Sequence, residues 1–381
     1  MANTLTGLLP TVYTALDLVS RELVGMIPSV TLDTASTRAA QGQSILVPIT
    51  PTAAAEDVVA GQLPPDTGDQ VISNTPVVIT KSRAVPFRWT GEETQGINTG
   101  PGFMNIRSGQ IAQAFRTLAN EIENDLAGLY VRSSRAFGTA GTTPFGGATP
   151  TLVDAANIRR ILVDNGSPEI DMQLIVNTAA GVTLRSVPNL TRANEAGGDT
   201  LLRQGILLDI FGMSIRESAQ IRNHTKGTGT AYVTTGVHGV GTTSIALITG
   251  SGTIVPGDVV TFAADTNNKY VVITGIAAPG SIVIGAPGLR VSIPTSNALT
   301  VGNNSAENMA FHRSSLVLVA RPPALPEGGD LAVDRTLITD PRSGLTFELA
   351  MYPQYRRMRY EVSLAWGVAG IKPEHTAILL G

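Results

Sequence analysis

The chain has 381 residues, of which 15% are charged, and its formal net charge at pH 7 is −3. A protein that grips nucleic acid by its phosphates needs a basic stripe, and this charge balance argues against that class. The sequence has no cysteine, which excludes disulfides and thiolate metal sites. Its cations are mostly arginines, which weakly favours contacts between subunits, because a planar guanidinium pairs well when it loses water.

The N-terminal segment lacks a basic start followed by an apolar core, so we expect no secretory signal. No apolar run has the length of a membrane span, and a soluble protein of a reducing compartment is expected. Apolar residues at helical spacing predict a short amphipathic helix over residues 11–27, ending before Pro28. Residues 31–43 have the composition of an extended arm.

Two β-rich segments follow, at residues 44–50 and 71–89, separated by a loose tip at 53–69. Prolines 48, 76 and 86 exclude both segments from the centre of a sheet. A two-stranded ribbon is marginal alone, so we expect it to project and to be supported by something else.

The longest predicted element is an amphipathic helix over residues 102–132, about 40 Å long. Asn105 or Ser108 is available to cap its start. The predicted apolar stripe consists of Ile111, Phe115, Leu118, Ile122, Leu126 and Leu129. The predicted polar face consists of Arg107, Gln113, Arg116, Asn120, Glu121, Glu123 and Asn124. We expect the stripe to carry β-strands of the same subunit, including residues 345–352 and 358–366.

A compact α+β unit is predicted after this helix. It contains helices over 151–165 and 178–186, a buried strand over 172–177, and short strands and turns over 201–220.

The composition changes between residues 227 and 303, where the charged residues are Asp258, Asp265, Lys269 and Arg290. Six strands separated by turn residues predict a small barrel or sandwich inserted into the parent fold. The strands are expected at 233–235, 244–249, 259–263, 270–274, 281–284 and 289–293. We interpret Asp258 and Asp265 as solvated turn residues rather than as partners of an arginine across an interface.

The parent fold resumes with a strand over 314–321 and a hairpin formed by residues 345–352 and 358–366. Val362, Leu364 and Trp366 alternate toward a core. Arg356, Arg357 and Arg359, beside Tyr355 and Tyr360, form the most basic patch of the sequence. Its aromatic neighbours favour subunit contacts over phosphate binding.

Candidate catalytic patterns have simpler interpretations. Asp66-Thr67-Gly68 matches the aspartic protease tripeptide but has no flanking apolar strands, so a turn is expected. Glu92 and Glu93 are interpreted as a solvated pair. The histidines at 224, 238, 312 and 375 fit no zinc frame and no serine hydrolase elbow occurs, so surface or packing roles are expected. We therefore predict no catalytic, cofactor-binding or metal residues, and a structural protein rather than an enzyme.

The order of elements resembles the major capsid protein of tailed bacteriophages, a fold shared with encapsulins and the herpesvirus capsid floor. The insertion, with SILVPIT and LAWGVAGIKPEHTAILLG, looks more particularly like coat proteins of short-tailed lambdoid podoviruses, which carry an inserted β-barrel. The resemblance implies an α+β phage capsid fold. Its parts would be an N-terminal arm (1–34), an extended loop (35–100), the spine helix with the peripheral domain (101–138), an axial domain (139–224), the inserted barrel (225–305) and the axial and peripheral return (306–381).

The resemblance implies a coat protein that self-assembles through hexamers and pentamers into an icosahedral shell around double-stranded DNA. Scaffolding protein and portal would be partners, DNA would be held without sequence-specific binding, and virions would form in the host bacterial cytoplasm. The expected subunit-contact residues are Arg83, Arg88, Trp89, Arg356, Arg357 and Arg359. In part of this family the extended loops are covalently crosslinked, which needs a suitable lysine. Lys81 is the only lysine of the extended loop, and no acid and asparagine set is identifiable for it. The resemblance therefore implies noncovalent assembly here.

Two alternatives remain open at this point. An encapsulin-like compartment holding enzyme cargo is opposed by the large insertion. A surface adhesion or carbohydrate-binding module is suggested by the uncharged strands of 227–303, but the missing signal peptide and the long helix oppose it.

Overall fold

A computed structural model describes residues 25–35, 37–49, 55, 60–61, 69, 71–97, 102–147, 150–191, 209–339 and 344–381. The helices of this part are α1 Gly91–Ile97, α2 Gly102–Ala127, α3 Val153–Asp164, α4 Thr178–Arg185 and α5 Pro188–Thr191. Short 3₁₀ turns cover Ile27–Ser29, Gly128–Arg132, Arg313–Ser315 and Pro373–His375. Across these described ranges, no helix is both long and apolar enough to cross a membrane.

The strands fall into a two-stranded ribbon and two larger sheets. The first half of the chain contributes β1 Thr31–Thr34, β2 Ser44–Ile49, β3 Ser73–Val78, β4 Lys81–Thr90, β5 Arg135–Phe137, β6 Met172–Val176, β7 Met213–Glu217, β8 Asn223–His224, β9 Val233–Thr234 and β10 Ser244–Ile248. The second half contributes β11 Val259–Phe262, β12 Asp265–Thr274, β13 Gly280–Ile284, β14 Leu299–Val301, β15 Ser305–His312, β16 Leu316–Arg321, β17 Asp334–Thr339, β18 Thr346–Gln354, β19 Arg357–Gly370 and β20 Thr376–Leu380.

The first large sheet has the order β1-β16-β19-β18-β17, with β4 also paired to β19. Strand β19 has 14 residues, so it pairs with β16 near its C-terminal end and with β18 and β4 along the rest. Helix α2 packs on one face of this sheet, which we call the helix-backed sheet. The rings of Phe115 and Phe347 meet edge to face at 4.9 Å between centroids.

Helix α2 confirms the predicted long amphipathic element, and its last turn tightens into the 3₁₀ turn Gly128–Arg132. Five of the six predicted stripe residues are buried, and Leu129 is half-buried against the same core. The core also contains Phe347, Leu349, Val362, Leu364 and Trp366, so the stripe carries the predicted hairpin.

Two expectations for this helix are wrong. Asn105 and Ser108 lie inside the helix, which begins at Gly102, so neither is its capping residue. Glu123 was placed on the polar face, but it is only 1% exposed. It is buried because backbone and hydroxyl donors from distant segments surround its carboxylate, as described below.

The predicted ribbon is confirmed only in part, because its second strand divides in two. Strand β3 pairs with β2, whereas β4 leaves the ribbon and pairs with β19 over ten positions. The hydrogen-bond partner changes at Ile79, which is fully buried, and β4 then packs Val85 and Phe87 against the core under α2. Pro86 lies in β4, which in the described part pairs with β19 alone, as its missing N–H requires.

The predicted N-terminal helix and ribbon tip lie largely outside the described residues. Within them, Ile27–Ser29 is a 3₁₀ turn rather than the end of an α-helix, since Pro28 lies inside it. In the predicted arm, β1 pairs in parallel with β16, and Arg38 contacts Glu348 at 2.5 Å.

The second large sheet has the order β7-β6-β15-β20-β5-β12-β13-β10-β9, with β8 on β15 and β11 between β12 and β14. All five residues of β6 are buried, as the apolar run predicts. Helices α3 and α4 contribute Ile158, Leu162 and Leu184 to the same core as β6. The predicted helices over 151–165 and 178–186 are confirmed within two residues at each end.

Five of the six strands predicted between residues 227 and 303 are present as β9 to β13. The sixth, at 289–293, is wrong: Leu289 and Ile293 are buried in a loop, and β14 follows later. The pairing order β9-β10-β13-β12-β11-β14 returns to its start, because Ala298 bridges to Val233. Strand β12 also pairs with β5, which joins these strands to the parent sheet.

The interpretation of Asp258 and Asp265 as solvated turn residues is wrong. Asp258 is fully buried and Asp265 is 4% exposed. Asp265 accepts hydrogen bonds from the Tyr270 hydroxyl at 2.6 Å and from the Asn268 side chain at 3.0 Å. Asp265 is satisfied by donors of its own segment, whereas Asp258 also accepts from His224 and Gly227, more than 30 positions away.

The C-terminal strand and hairpin are confirmed as β16, β18 and β19. Val362, Leu364 and Trp366 are fully buried. Ala365 is also buried, because Val77 and Ile79 at the base of the ribbon cover the opposite face of the sheet at this end.

Candidate subunit-contact surface

Five of the six predicted contact residues meet at one end of the β4–β19 pair. Arg88 lies opposite Arg359, Trp89 lies opposite Met358, and Arg356 precedes β19 in the hairpin turn. Arg83 pairs in register with Leu364 nearer the other end.

Alternation along the two strands separates these side chains by face. Phe87 stacks on Tyr360 at 5.2 Å beneath α2, and Trp89 donates from Nε1 to Gln110 of α2 at 2.8 Å. Because successive residues of a strand point to opposite faces, Arg88 and Arg359 lie together on the face turned away from the helix. We call this surface, with Arg357, the arginine face.

The three arginines of the arginine face outnumber the two acids shown to act on them among the described residues, Glu361 and Glu93. Like charges directly opposite each other on paired strands repel, and Arg88 faces Arg359 in this way. Arg359 lies 2.8 Å from Glu361, while Arg88 and Arg357 are exposed. This arrangement favours an acidic partner surface.

The hairpin tip lies against the start of α1. Arg356 has a φ of 54°, the left-handed conformation of a tight turn, and its carbonyl accepts a hydrogen bond from the Gly91 N–H at 3.3 Å. Tyr355 at the tip is 90% exposed.

Glu92 and Glu93 are exposed, as expected, but they begin helix α1 rather than lying on a strand. Glu93 accepts a hydrogen bond from the Thr90 N–H at 2.8 Å, and Thr90 Oγ1 accepts one from the Glu93 N–H at 3.2 Å. This is a reciprocal helix cap. The hydrogen bonds from Thr90 lower the pKa of Glu93, and Arg88 contributes in the same direction.

Arg83 and Lys81 point the other way, toward α2. Lys81 Nζ lies 3.0 Å from Glu121 and 2.9 Å from Asp125, and Arg83 Nε lies 3.3 Å from Glu121. Trp366 Nε1 donates to Asp125 at 2.9 Å. Burial lowers the pKa of Lys81, but hydrogen bonds and charges of Asp125 and Glu121 outweigh it, and the pKa is raised.

The sequence identified no acid and asparagine set for Lys81, and the structure places two acids of α2, 40 and 44 positions away, beside it. Lys81 is therefore engaged within its own subunit. Noncovalent assembly stays a prediction.

The β2–β3 ribbon leaves apolar side chains in solvent. Leu46 is 61% exposed, Ile72 66% and Val78 41%, whereas Val77 on the opposite face is fully buried. In the part of the chain that the structure describes, β2 pairs with β3 alone.

Sequence reasoning missed two buried polar clusters. The Glu123 carboxylate accepts hydrogen bonds from the Met26 and Ile27 N–H groups, both at 2.9 Å, and from the Ser218 hydroxyl at 2.8 Å. Burial raises its pKa, although these hydrogen bonds oppose the shift. The position of Glu123 next to Ile122 and three residues before Leu126, at the edge of the stripe, was the available signal.

The second missed cluster surrounds His224. This residue is 7% exposed, and its ring forms hydrogen bonds with Tyr130 and Asp258. A packing role for this histidine is confirmed. His312 and His375 are partly buried with ring centroids 6.2 Å apart, and burial lowers the pKa of both.

The described ranges contain no group of three or more histidine, aspartate or glutamate side chains placed to hold a metal ion. A cleft of about 350 Å³ lies between β5, β12 and the loop that follows β5. It is lined in part by Asp154, Asn267 and Lys269. Both charged groups are engaged, since Lys269 donates to the Gly138 carbonyl and Asp154 accepts from the Phe145 N–H at 2.7 Å. Asp66, Thr67 and Gly68 lie outside the described residues.

No family model and no curated protein matches the sequence. Among solved structures, the capsid of the cyanophage P-SCSP1u is similar with a TM-score of 0.48 and 13% identity, over 92% of this chain and 86% of that one. A protein of Mycobacterium phage Che8 is similar with a TM-score of 0.44 and 14% sequence identity, over 89% of this chain and 84% of that one. A virus-like particle from Pyrococcus furiosus is similar with a TM-score of 0.42 and 12% sequence identity, over 96% of this chain and 96% of that one. Because these TM-scores lie below 0.5, function has to be argued from the residues of this chain.

Proposed function

We propose that this chain is the major capsid protein of a tailed bacteriophage, a coat protein that self-assembles into an icosahedral shell around double-stranded DNA. The observation that carries the proposal is a subunit with two exposed surfaces that favour contacts: the apolar side chains of the ribbon, and the arginine face on the side of the sheet turned away from α2. Each is unfavourable in an isolated molecule and becomes favourable when copies cover each other.

The ribbon supports assembly because it is only partly stabilised by its own subunit. Its inner face packs through Val77 near Ala365, while Leu46, Ile72 and Val78 remain exposed. A two-stranded ribbon is marginal in water, and contiguous exposed apolar side chains mark surfaces that bind another protein. A neighbouring copy that covers these side chains would stabilise the ribbon.

The arginine face supports assembly through its unbalanced charge. The chain itself carries a complementary segment, because residues 50–70 contain Glu56, Asp57, Asp66 and Asp69 and no basic residue. In our proposal the contacts to neighbouring subunits are made by Arg83, Arg88, Trp89, Arg356, Arg357 and Arg359. Arg83 and Trp89 also bind Glu121 and Gln110 of their own helix, so they would position the strand as well.

The proposed division of the chain follows the sequence resemblance. Residues 1–34 are the N-terminal arm, 35–100 the extended loop and 101–138 the spine helix with the peripheral domain. Residues 139–224 form the axial domain and 306–381 its return. The closed pairing order of β9 to β14 supports an inserted barrel over 225–305, the feature of podovirus-type coat proteins.

The proposal includes hexamers and pentamers as building units, a scaffolding protein and a portal as partners, and a location in virions assembled in the host bacterial cytoplasm. The net charge of −3 suits a container that encloses DNA without sequence-specific binding. No enzymatic activity and no cofactor is proposed.

Electron microscopy of the purified unchanged chain and, separately, of a charge-reversed variant tests this function. Negative-stain microscopy should show closed icosahedral shells for the unchanged chain, and only monomers would contradict the proposal. Small uniform shells would favour an encapsulin-like compartment instead.

Arg357→Glu should leave a folded subunit but abolish or strongly reduce the shells, because it reverses one charge of the exposed arginine face. Arg160→Glu, on the exposed surface of α3, is the matched control and should assemble normally. Equal shell yields for Arg357→Glu and the unchanged chain, measured by sedimentation, would exclude the arginine face from the contacts.

A further inference from the structure

Four ionisable side chains meet where the chain enters the strands β9 to β14 and where it leaves them. Tyr130 lies in the 3₁₀ turn after α2, His224 in β8, Asp258 just before β11 and Glu307 in β15. None is more than 9% exposed. We call these four residues the junction cluster, since they connect the spine helix, the parent sheet and the inserted strands.

The hydrogen bonds of the junction cluster form a chain. The Tyr130 hydroxyl lies 2.8 Å from His224 Nδ1, and His224 Nε2 lies 2.8 Å from Asp258 Oδ1. Asp258 also accepts the N–H groups of Gly227 at 2.9 Å and Val255 at 2.8 Å. Asp258 is thus an acceptor for three donors, His224 carries a proton on Nε2, and its Nδ1 can accept the Tyr130 proton.

Two glycines make this packing possible. A Cβ on Gly257 would lie 2.7 Å from the Tyr130 ring and 3.1 Å from the His224 ring, and one on Gly227 would lie 2.7 Å from Asp258 Oδ2. The cluster is therefore close-packed, and its groups have little freedom to rearrange around a new charge.

Glu307 is the one member whose carboxyl is incompletely satisfied. Oε1 accepts the Ser305 hydroxyl at 2.5 Å, whereas Oε2 is buried with no hydrogen-bond partner among the described residues. Burial raises the pKa of Glu307 to about 7; the Ser305 hydrogen bond and His224 lower it, and Asp258 raises it.

Among the described residues, the other elements around Glu307 offer no further counter-charge. Strand β20 places the apolar Leu380 opposite it, and Tyr130 contributes a neutral hydroxyl. Arg222, whose charge acts on Tyr130, directs its Nε to the carbonyl and side chain of Asn124.

We propose that the junction cluster is a proton-dependent contact: with Glu307 protonated it holds the inserted strands against the spine helix, and with Glu307 ionised this attachment opens. Ionisation places a second carboxylate charge near Asp258, with one oxygen lacking a donor. Opening admits water to that oxygen and relieves the repulsion. This inference goes beyond the proposed function and does not require a shell.

The direction of the pH dependence follows from linkage. The pKa of Glu307 is about 7 when the contact is closed and near the ordinary 4.5 when it is open to water. The closed form thus holds the proton more tightly, so closure is favoured most at low pH. It weakens as the pH rises from 4.5 to 7 and changes little above that.

Hydrogen exchange of the full chain measures this opening. Between about pH 5.5 and about pH 8, protection factors over residues 222–230 and 253–260 should fall on the order of tenfold, after correction for intrinsic exchange. Strand β6 serves as the internal reference and should change much less. Unchanged protection at the junction over this range would overturn the proposal.

Variants assign the effect to Glu307. Glu307→Gln should remove the pH dependence at residues 222–230, and its persistence there would overturn the proposal. Ser305→Ala removes a hydrogen bond that lowers the pKa of Glu307, so the midpoint of opening should move to higher pH. If Glu307→Gln does not fold, an unmoved midpoint in Ser305→Ala overturns the proposal. Glu169→Gln, at a side chain that is 67% exposed, is the control and should keep the wild-type profile.

Discussion

Glu123 connects residues 26 and 27, near the start of the described part of the chain, to helix α2. Its carboxylate accepts hydrogen bonds from the Met26 and Ile27 N–H groups and from the Ser218 hydroxyl, so three segments meet at one side chain. Met26, Ile27 and Val30 then add apolar side chains to the main core. Burial raises the pKa of Glu123, and the hydrogen bonds from Met26, Ile27 and Ser218 oppose this shift.

Glu123→Ala should lower the free energy of unfolding by about 3 kcal/mol or more, since it leaves several buried donors without an acceptor. Proteolysis near residues 25–30 should accelerate in parallel. Glu92→Gln, at an exposed position, should unfold like the unchanged chain. A urea midpoint for Glu123→Ala equal to that of Glu92→Gln would show that the carboxylate does not hold this segment.

The burial of acidic side chains could not be predicted from the sequence where their hydrogen-bond partners are distant along the chain. Glu123 and Asp258 are acids, and an acidic residue type indicates solvent exposure unless its hydrogen-bond partners lie nearby in the sequence. The Met26 partner of Glu123 lies 97 positions away, and the His224 partner of Asp258 lies 34 positions away. Such burial depends on tertiary placement, which hydrophobic periodicity does not encode.

At the scale of elements, local periodicity was sufficient to predict helix α2. Stripe residues at steps of three and four predicted both the length of α2 and the face that packs on Phe347 and Trp366. Strand β4 shows the limit of the same reasoning. Its composition continues that of β3, and only the competing partner β19, almost 300 residues later, separates the two.

Leu118→Asp should prevent folding, because Leu118 is 1% exposed in the core between α2 and the helix-backed sheet. An unpaired carboxylate there should cost more than about 4 kcal/mol. Arg116→Ala, on the exposed side of the same helix, should give a folded subunit. Circular dichroism and solubility distinguish the two, and a soluble Leu118→Asp protein with native helix content would contradict this role of the stripe.

At the scale of the whole molecule, two large sheets support the surfaces of this chain. We propose that these surfaces contact other copies. Strand β19 pairs with β16, β18 and β4, so the ribbon base, the arginine face and the core under α2 are connected through one strand. Strand β12 connects strands β9 to β14 to β5 in a similar way. In the shell that we propose, many weak contacts of this kind, repeated around a closed surface, would add up to a stable container.

Cryo-electron microscopy of the particles formed by the purified full-length chain tests this account most directly. We predict a closed icosahedral shell in which another copy covers the arginine face, with density against Arg88, Arg357 and Arg359, and in which Leu46 and Val78 of the ribbon are buried at a subunit boundary. A protein that remains monomeric under assembly conditions, or a shell in which the arginine face and the ribbon both remain in solvent, would contradict it.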